Sequence, residues 1–67
     1  MKKNWRDIDE LLKDENKHLF EDNLLLKTKH GAHYVGQAFL NEGESLKFYS
    51  AETGNQIWHV ENFKEIN

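Results

Sequence analysis

His30 and His33 stand three residues apart as His-x-x-His, and His18 and His59 complete the chain's four imidazoles. A zinc ion needs three or four ligands converging at bonding distance, and catalytic zinc signatures set two His on one helical face beside a Glu. Here the two histidines stand on either side of Gly31, which marks a turn, so they straddle it and need not converge. The expectation is structural or solvent-facing histidines and no metal.

Carboxylates are abundant, and that abundance makes any pair of them uninformative. Glu42 and Glu44 share one turn, while Asp7, Asp9 and Glu10 fall on the outer side of a candidate helix. General acid–base chemistry needs a carboxylate held in a cleft that shifts its pKa, and a very small domain has little room for one. Ser45 and Ser50 stand at strand ends with no nucleophile elbow, and the chain has no cysteine. Gly31, Gly36, Gly43 and Gly54 are spread one to a turn or bend and do not gather into a phosphate loop. The chain is not expected to be an enzyme or to hold a cofactor.

The elements that position these side chains must fit into 67 residues. A domain of this length buries only about 60% of the surface its unfolded chain exposes, so almost every large apolar residue is needed in the core. With no cysteine there is no disulfide to reinforce it. Twelve acidic residues against nine basic ones give a net charge of -3, and no basic run exceeds Lys2-Lys3. A basic patch or stripe, the usual mark of nucleic-acid binding, is missing from the sequence. No apolar segment follows Met1-Lys2-Lys3 as a signal peptide would require, and no stretch approaches membrane-spanning length. A protein of the bacterial cytoplasm, without a membrane partner, is expected.

Asn4 can cap a helix, and Trp5, Ile8, Leu11 and Leu12 recur at helical spacing, which predicts a helix over 4–13. Beyond Glu21-Asp22 the period changes to two. Strands are predicted from about residue 23 through Leu24-Leu25-Leu26, over 32–40, over 45–50 and over 56–60. Glu61-Asn62-Phe63 reads as a single 3₁₀ turn and Lys64-Glu65-Ile66 as a closing strand. Gly36, in the middle of the longest strand, marks a bulge or a bend. One domain results: a mainly β fold with one N-terminal helix and a small five-stranded SH3-like or Sm-like barrel over 23–66.

The quoted elements Thr28-Lys29-His30-Gly31, Tyr34-Val35-Gly36, Phe48-Tyr49 and Thr53-Gly54 carry a resemblance. From Leu24 to Ile66 the chain resembles small SH3-like proteins encoded by bacteriophages and prophages. That resemblance implies a phage or mobile-element source and an SH3-like barrel. It carries no catalytic residue.

Strand alternation leaves two apolar faces. Tyr34, Leu24, Leu26, Leu46 and Phe48 share one, while Val35, Phe39, Leu25, Tyr49, Trp58 and Val60 share the other. A barrel needs only one face for its core. Either the front helix covers the second face, or Tyr49, Trp58 and Phe39 form a docking patch, since Trp and Tyr are enriched at binding hot spots. The expected function is a small accessory that binds a host or phage protein and modulates or inhibits it, with pairing to its own copy as one form of that binding. The alternative is a single-stranded nucleic-acid binder that stacks bases on Tyr34, Phe48 and Trp58 while Lys27, Lys29 and Lys47 track phosphates.

Overall fold

The alternation that begins at Leu24 builds a six-stranded antiparallel sheet in the computed structural model, which describes residues 4–42 and 45–66. The strands are β1 (Arg6–Asp7), β2 (Leu24–Thr28), β3 (His33–Leu40), β4 (Leu46–Ser50), β5 (Gln56–Ile57) and β6 (Val60–Glu65). Their order across the sheet is β1-β6-β2-β3-β4-β5. The architecture is mainly β, as expected, with six strands in place of five. Among the described residues β1 and β5 each pair on one side only, so the sheet is an open ladder. The expected turn at 41–44 and the Met1–Lys3 start fall wholly or partly outside the described residues.

The N-terminal segment corrects the sequence reading. Residues 4–13 do not form an α-helix. Arg6–Asp7 pairs with β6, Arg6 opposite Phe63 and Asp7 opposite Asn62, and a 3₁₀ segment follows over Ile8–Leu12. Its cap is Asp7, whose Oδ1 accepts from the Asp9 N–H at 2.9 Å, not Asn4. The cause is long-range. Arg6 reaches Glu65 at 3.1 Å, and its guanidinium lies 5.1 Å from the Phe63 ring centroid, while its pair with Glu10 at 3.0 Å is local. The contacts with Glu65 and Phe63 hold the chain extended where local periodicity favours a helix.

A second 3₁₀ segment, Asp14–Glu21, crosses back toward the sheet. Asn16 is buried and its Nδ2 donates to the Glu10 carbonyl at 2.7 Å, which pins the two segments together. Leu11 and Leu19 then enter the core beside Leu24, Leu26, Ala38, Phe48, Ile57, Val60 and Phe63. Ile8, Phe20 and Leu46 pack around them. Fully burying one such leucine contributes about 1.5–3 kcal/mol, so the two 3₁₀ segments are part of the core and not an appendage.

Register assigns the faces, because residues directly opposite in an antiparallel pair lie on the same side. Leu24 faces Gly36, Leu26 faces Tyr34 and Phe63, Ala38 faces Phe48, and Phe48 faces Ile57. This is the core side. Leu25 opposite Val35, Gln37 opposite Tyr49, and Phe39 opposite Lys47 form the other side. Val60, expected with Phe39, is instead buried on the core side opposite Thr28.

Three further expectations are corrected. Gly36 pairs without interruption to both neighbours, and the register shift falls at Lys27/Thr28 against β6. Glycine is required at 36 for a different reason: an added Cβ would overlap the Tyr49 carbonyl oxygen and sit 3.1 Å from Leu26 Cδ1. The expected 3₁₀ turn at Glu61-Asn62-Phe63 is strand, with Phe63 fully buried. The predicted strand over 56–60 is broken at Trp58-His59, where His59 takes a φ of 62° and turns the chain from β5 into β6. Gly31, with a φ of 87°, makes the expected β2–β3 turn, closed by its N–H donating to the Thr28 carbonyl at 2.9 Å.

Candidate functional site

Exposed apolar side chains occur on both sides of the sheet: Val35 and Phe39 lie on the second side, Tyr34 and Leu40 on the core side, and Trp58 at the β5–β6 corner. Ile8 and Leu11 of the front segment pack on the core side, so they do not cover the side bearing Phe39 as one reading expected. Val35 stays 39% exposed and Phe39 47% exposed. Phe39 and Tyr49 are diagonal neighbours on β3 and β4, and their rings meet edge to face with centroids 5.3 Å apart. They form part of the lining of an open groove of about 710 Å³ with Asn23, Gln37, Asn41 and Ala51. The groove therefore offers an aromatic floor edged by side-chain amides, which both donate and accept hydrogen bonds.

Register explains this placement. β3 carries odd-numbered residues outward, so Val35, Gln37 and Phe39 line up along one strand, and Tyr49 joins from β4. Of the expected docking residues, the structure brings Phe39 and Tyr49 together. Trp58 lies apart from them, 65% exposed at the β5–β6 corner, lining one hollow with Tyr34 and Thr28 and another with Ile8 and Lys47.

At the other end of the same side lies a cluster that alternation alone did not reveal. Lys27 and His33 are opposite each other, and Lys64 is opposite Leu25, so all three share a side with Phe39. Trp5, which precedes β1, lies over them. Its ring centroid is 5.1 Å from that of His33, and the ammonium groups of Lys27 and Lys64 approach it at 5.3 and 4.8 Å. Only the pairing of β1 with β6 puts Trp5 there, and the helical spacing of Trp5, Ile8 and Leu11 hid it. The sequence singles out Lys27 only as one of the three lysines of the nucleic-acid alternative.

The residues of the nucleic-acid alternative do not converge. Lys27 pairs with His33 and Lys47 with Phe39, at opposite ends of β3, about 20 Å apart along the strand at roughly 3.4 Å per residue. Lys29 sits in the β2–β3 turn, where its N–H donates to the His59 carbonyl. Tyr34 belongs to the core side, opposite Leu26. The two members of His-x-x-His also part company. His30 meets His59 edge to face at 6.2 Å, and His33 meets Trp5. Among the described residues no three His, Asp or Glu side chains are gathered so as to hold a metal ion.

Among the described residues, no helix is long and apolar enough to cross a membrane. No protein-family model, curated protein or solved structure matches the chain.

Proposed function

We propose that this chain is a non-enzymatic protein-binding module of SH3-like character, an accessory that docks a phage or host protein and modulates or inhibits it. The docking surface is the open side of the sheet centred on Phe39 and Tyr49. One observation carries the reading: a 67-residue domain, short of apolar residues for its core, leaves Val35 and Phe39 exposed, with Phe39 edge to face against Tyr49. In so small a domain, apolar side chains spent on the surface are most economically explained by a partner that covers them. The lining supports recognition more than reaction. Phe39 and Tyr49 supply a rigid anchor surface, and Asn23, Gln37 and Asn41 can bond to the backbone of a bound segment.

The test is affinity capture from bacterial lysate with the native chain and with the Phe39→Ser/Tyr49→Ser double variant, followed by reconstitution of the identified protein. The reading expects a stoichiometric complex in light scattering with the native chain and its loss with the variant. A partner held equally by both, or none at all, refutes it.

A further inference from the structure

The two ends of the open side are chemically different, and the difference points to a class of partner. Across β2 to β6, the paired positions on this side carry Lys27, Lys47, Lys64 and His33 but no carboxylate. The chain as a whole has twelve acidic residues against nine basic ones, so the sign of this side is opposite to that of the molecule. Among the described residues, two carboxylates stand at its β1–β6 edge: Asp7, whose Oδ1 already accepts from the Asp9 N–H, and Glu61, which lies unpaired at the register shift and lines a hollow with Asp7 and Asn62.

Lys27 and Lys64 are also held close together without neutralisation. Both ammonium groups share the Trp5 ring, yet neither makes an ion pair among the described residues. Arg6, on the core side, is by contrast bound by Glu10 and Glu65. Two cations gathered on one indole repel each other, and an anion placed between them relieves that repulsion while keeping both cation–π contacts. Lys47, directly opposite Phe39, adds a third cation beside the apolar groove.

Resting on the docking reading above, we infer that the open side takes an extended acidic segment of a partner protein, with carboxylates on Lys27 and Lys64 beside Trp5 and an apolar side chain on Phe39 and Tyr49. The spacing follows from the sheet. The row of Lys64, Leu25 and Val35 lies four residues along β3 from Phe39, and the row of Lys27 and His33 lies six. At roughly 3.4 Å per residue this is about 13–20 Å, the reach of about four to six residues of extended chain. A single-stranded nucleic acid fits less well. Base stacking needs a free aromatic face beside the cations that hold the phosphates, and here the aromatic next to Lys27 and Lys64, Trp5, is taken up by those two lysines and a histidine.

The experiment is a titration of the ¹⁵N-labelled full chain, followed by amide signals. The probes are capped peptides with two adjacent glutamates and a phenylalanine five residues away, in both orders. Counterparts with lysine for glutamate and an oligothymidylate serve as comparisons. The inference expects one of the glutamate peptides to shift Lys27, Lys64, Phe39 and Tyr49 together. Lys27→Glu/Lys64→Glu should weaken that binding about tenfold or more, and added salt should weaken it in the unmodified chain.

Equal binding of the lysine peptides overturns the inference, as does the absence of shifts with either glutamate peptide at millimolar concentration. Tighter binding of the oligothymidylate hands the surface to nucleic acid, and concentration-dependent shifts of the same amides in the free chain hand it to a second copy. A captured partner that needs Phe39 and Tyr49 but ignores Lys27→Glu/Lys64→Glu sinks the acidic-segment inference and leaves the docking reading standing. One that ignores both double variants ends both.

Discussion

Replacing Gly36 with alanine puts the packing of the central strand to a direct test. Gly36 lies in β3 between Leu24 on β2 and Ser50 on β4, and its Cα faces the core. The added methyl group would overlap the Tyr49 carbonyl oxygen, with the Tyr49 carbonyl carbon and Leu26 Cδ1 each at 3.1 Å. Two of those three atoms are backbone, which yields far less readily than a side-chain tip. Overpacking of this kind costs about 1–3 kcal/mol, and the reduced freedom of the unfolded chain returns about 0.4–1 kcal/mol of it. A net loss of about 1–2 kcal/mol remains. For a domain of this size each kcal/mol moves the melting midpoint by about 4–8 °C, so Gly36→Ala should melt about 5–15 °C lower. Thermal unfolding followed by circular dichroism reads this directly. A variant that melts at or above the native temperature would show that β3 and β4 do not approach as closely as described.

Three other outcomes follow from the same structure. Leu11→Ala, which empties a fully buried site in the first 3₁₀ segment, should cost about 2–5 kcal/mol in urea unfolding; a loss below 1 kcal/mol would mean that the segment is not part of the core. His59→Gly should stabilise by up to about 1 kcal/mol, because His59 holds a φ of 62° that glycine adopts freely, and a lower melting temperature would argue against that backbone. Phe39→Ser/Tyr49→Ser removes a surface aromatic pair and should cost only about 1–2 kcal/mol with an unchanged far-ultraviolet spectrum; loss of folded signal would place the pair in the core.

The middle of the chain was legible in its sequence because its signals are local. Leu24–Thr28, His33–Leu40 and Leu46–Ser50 alternate with period two, and His30-Gly31 and Thr53-Gly54 punctuate them, so both the strands and the placement of Val35, Phe39 and Tyr49 on one side could be read. The two ends were not legible, because long-range contacts decide them. Trp5, Ile8 and Leu11 keep helical spacing, but Arg6 is drawn to Glu65 across the sheet, and this makes residues 6–7 a strand and turns Trp5 to the other side. Glu61-Asn62-Phe63 looks polar enough for a turn. The register shift at Lys27/Thr28 lets Phe63 drop opposite Leu26 into the core, and nothing in the local sequence announces that shift. The cationic end of the open side depends on both misread ends, since Trp5 comes from one and Lys64 from the other. It was hidden for the same reason.

The most direct test of the docking surface is the footprint of a bound, reconstituted partner on the ¹⁵N-labelled chain. The account expects the largest amide perturbations at Val35, Gln37, Phe39 and Tyr49, with Trp58 and His59 little changed. A footprint centred on Trp58 and the β5–β6 corner, with Phe39 and Tyr49 unaffected, would contradict it.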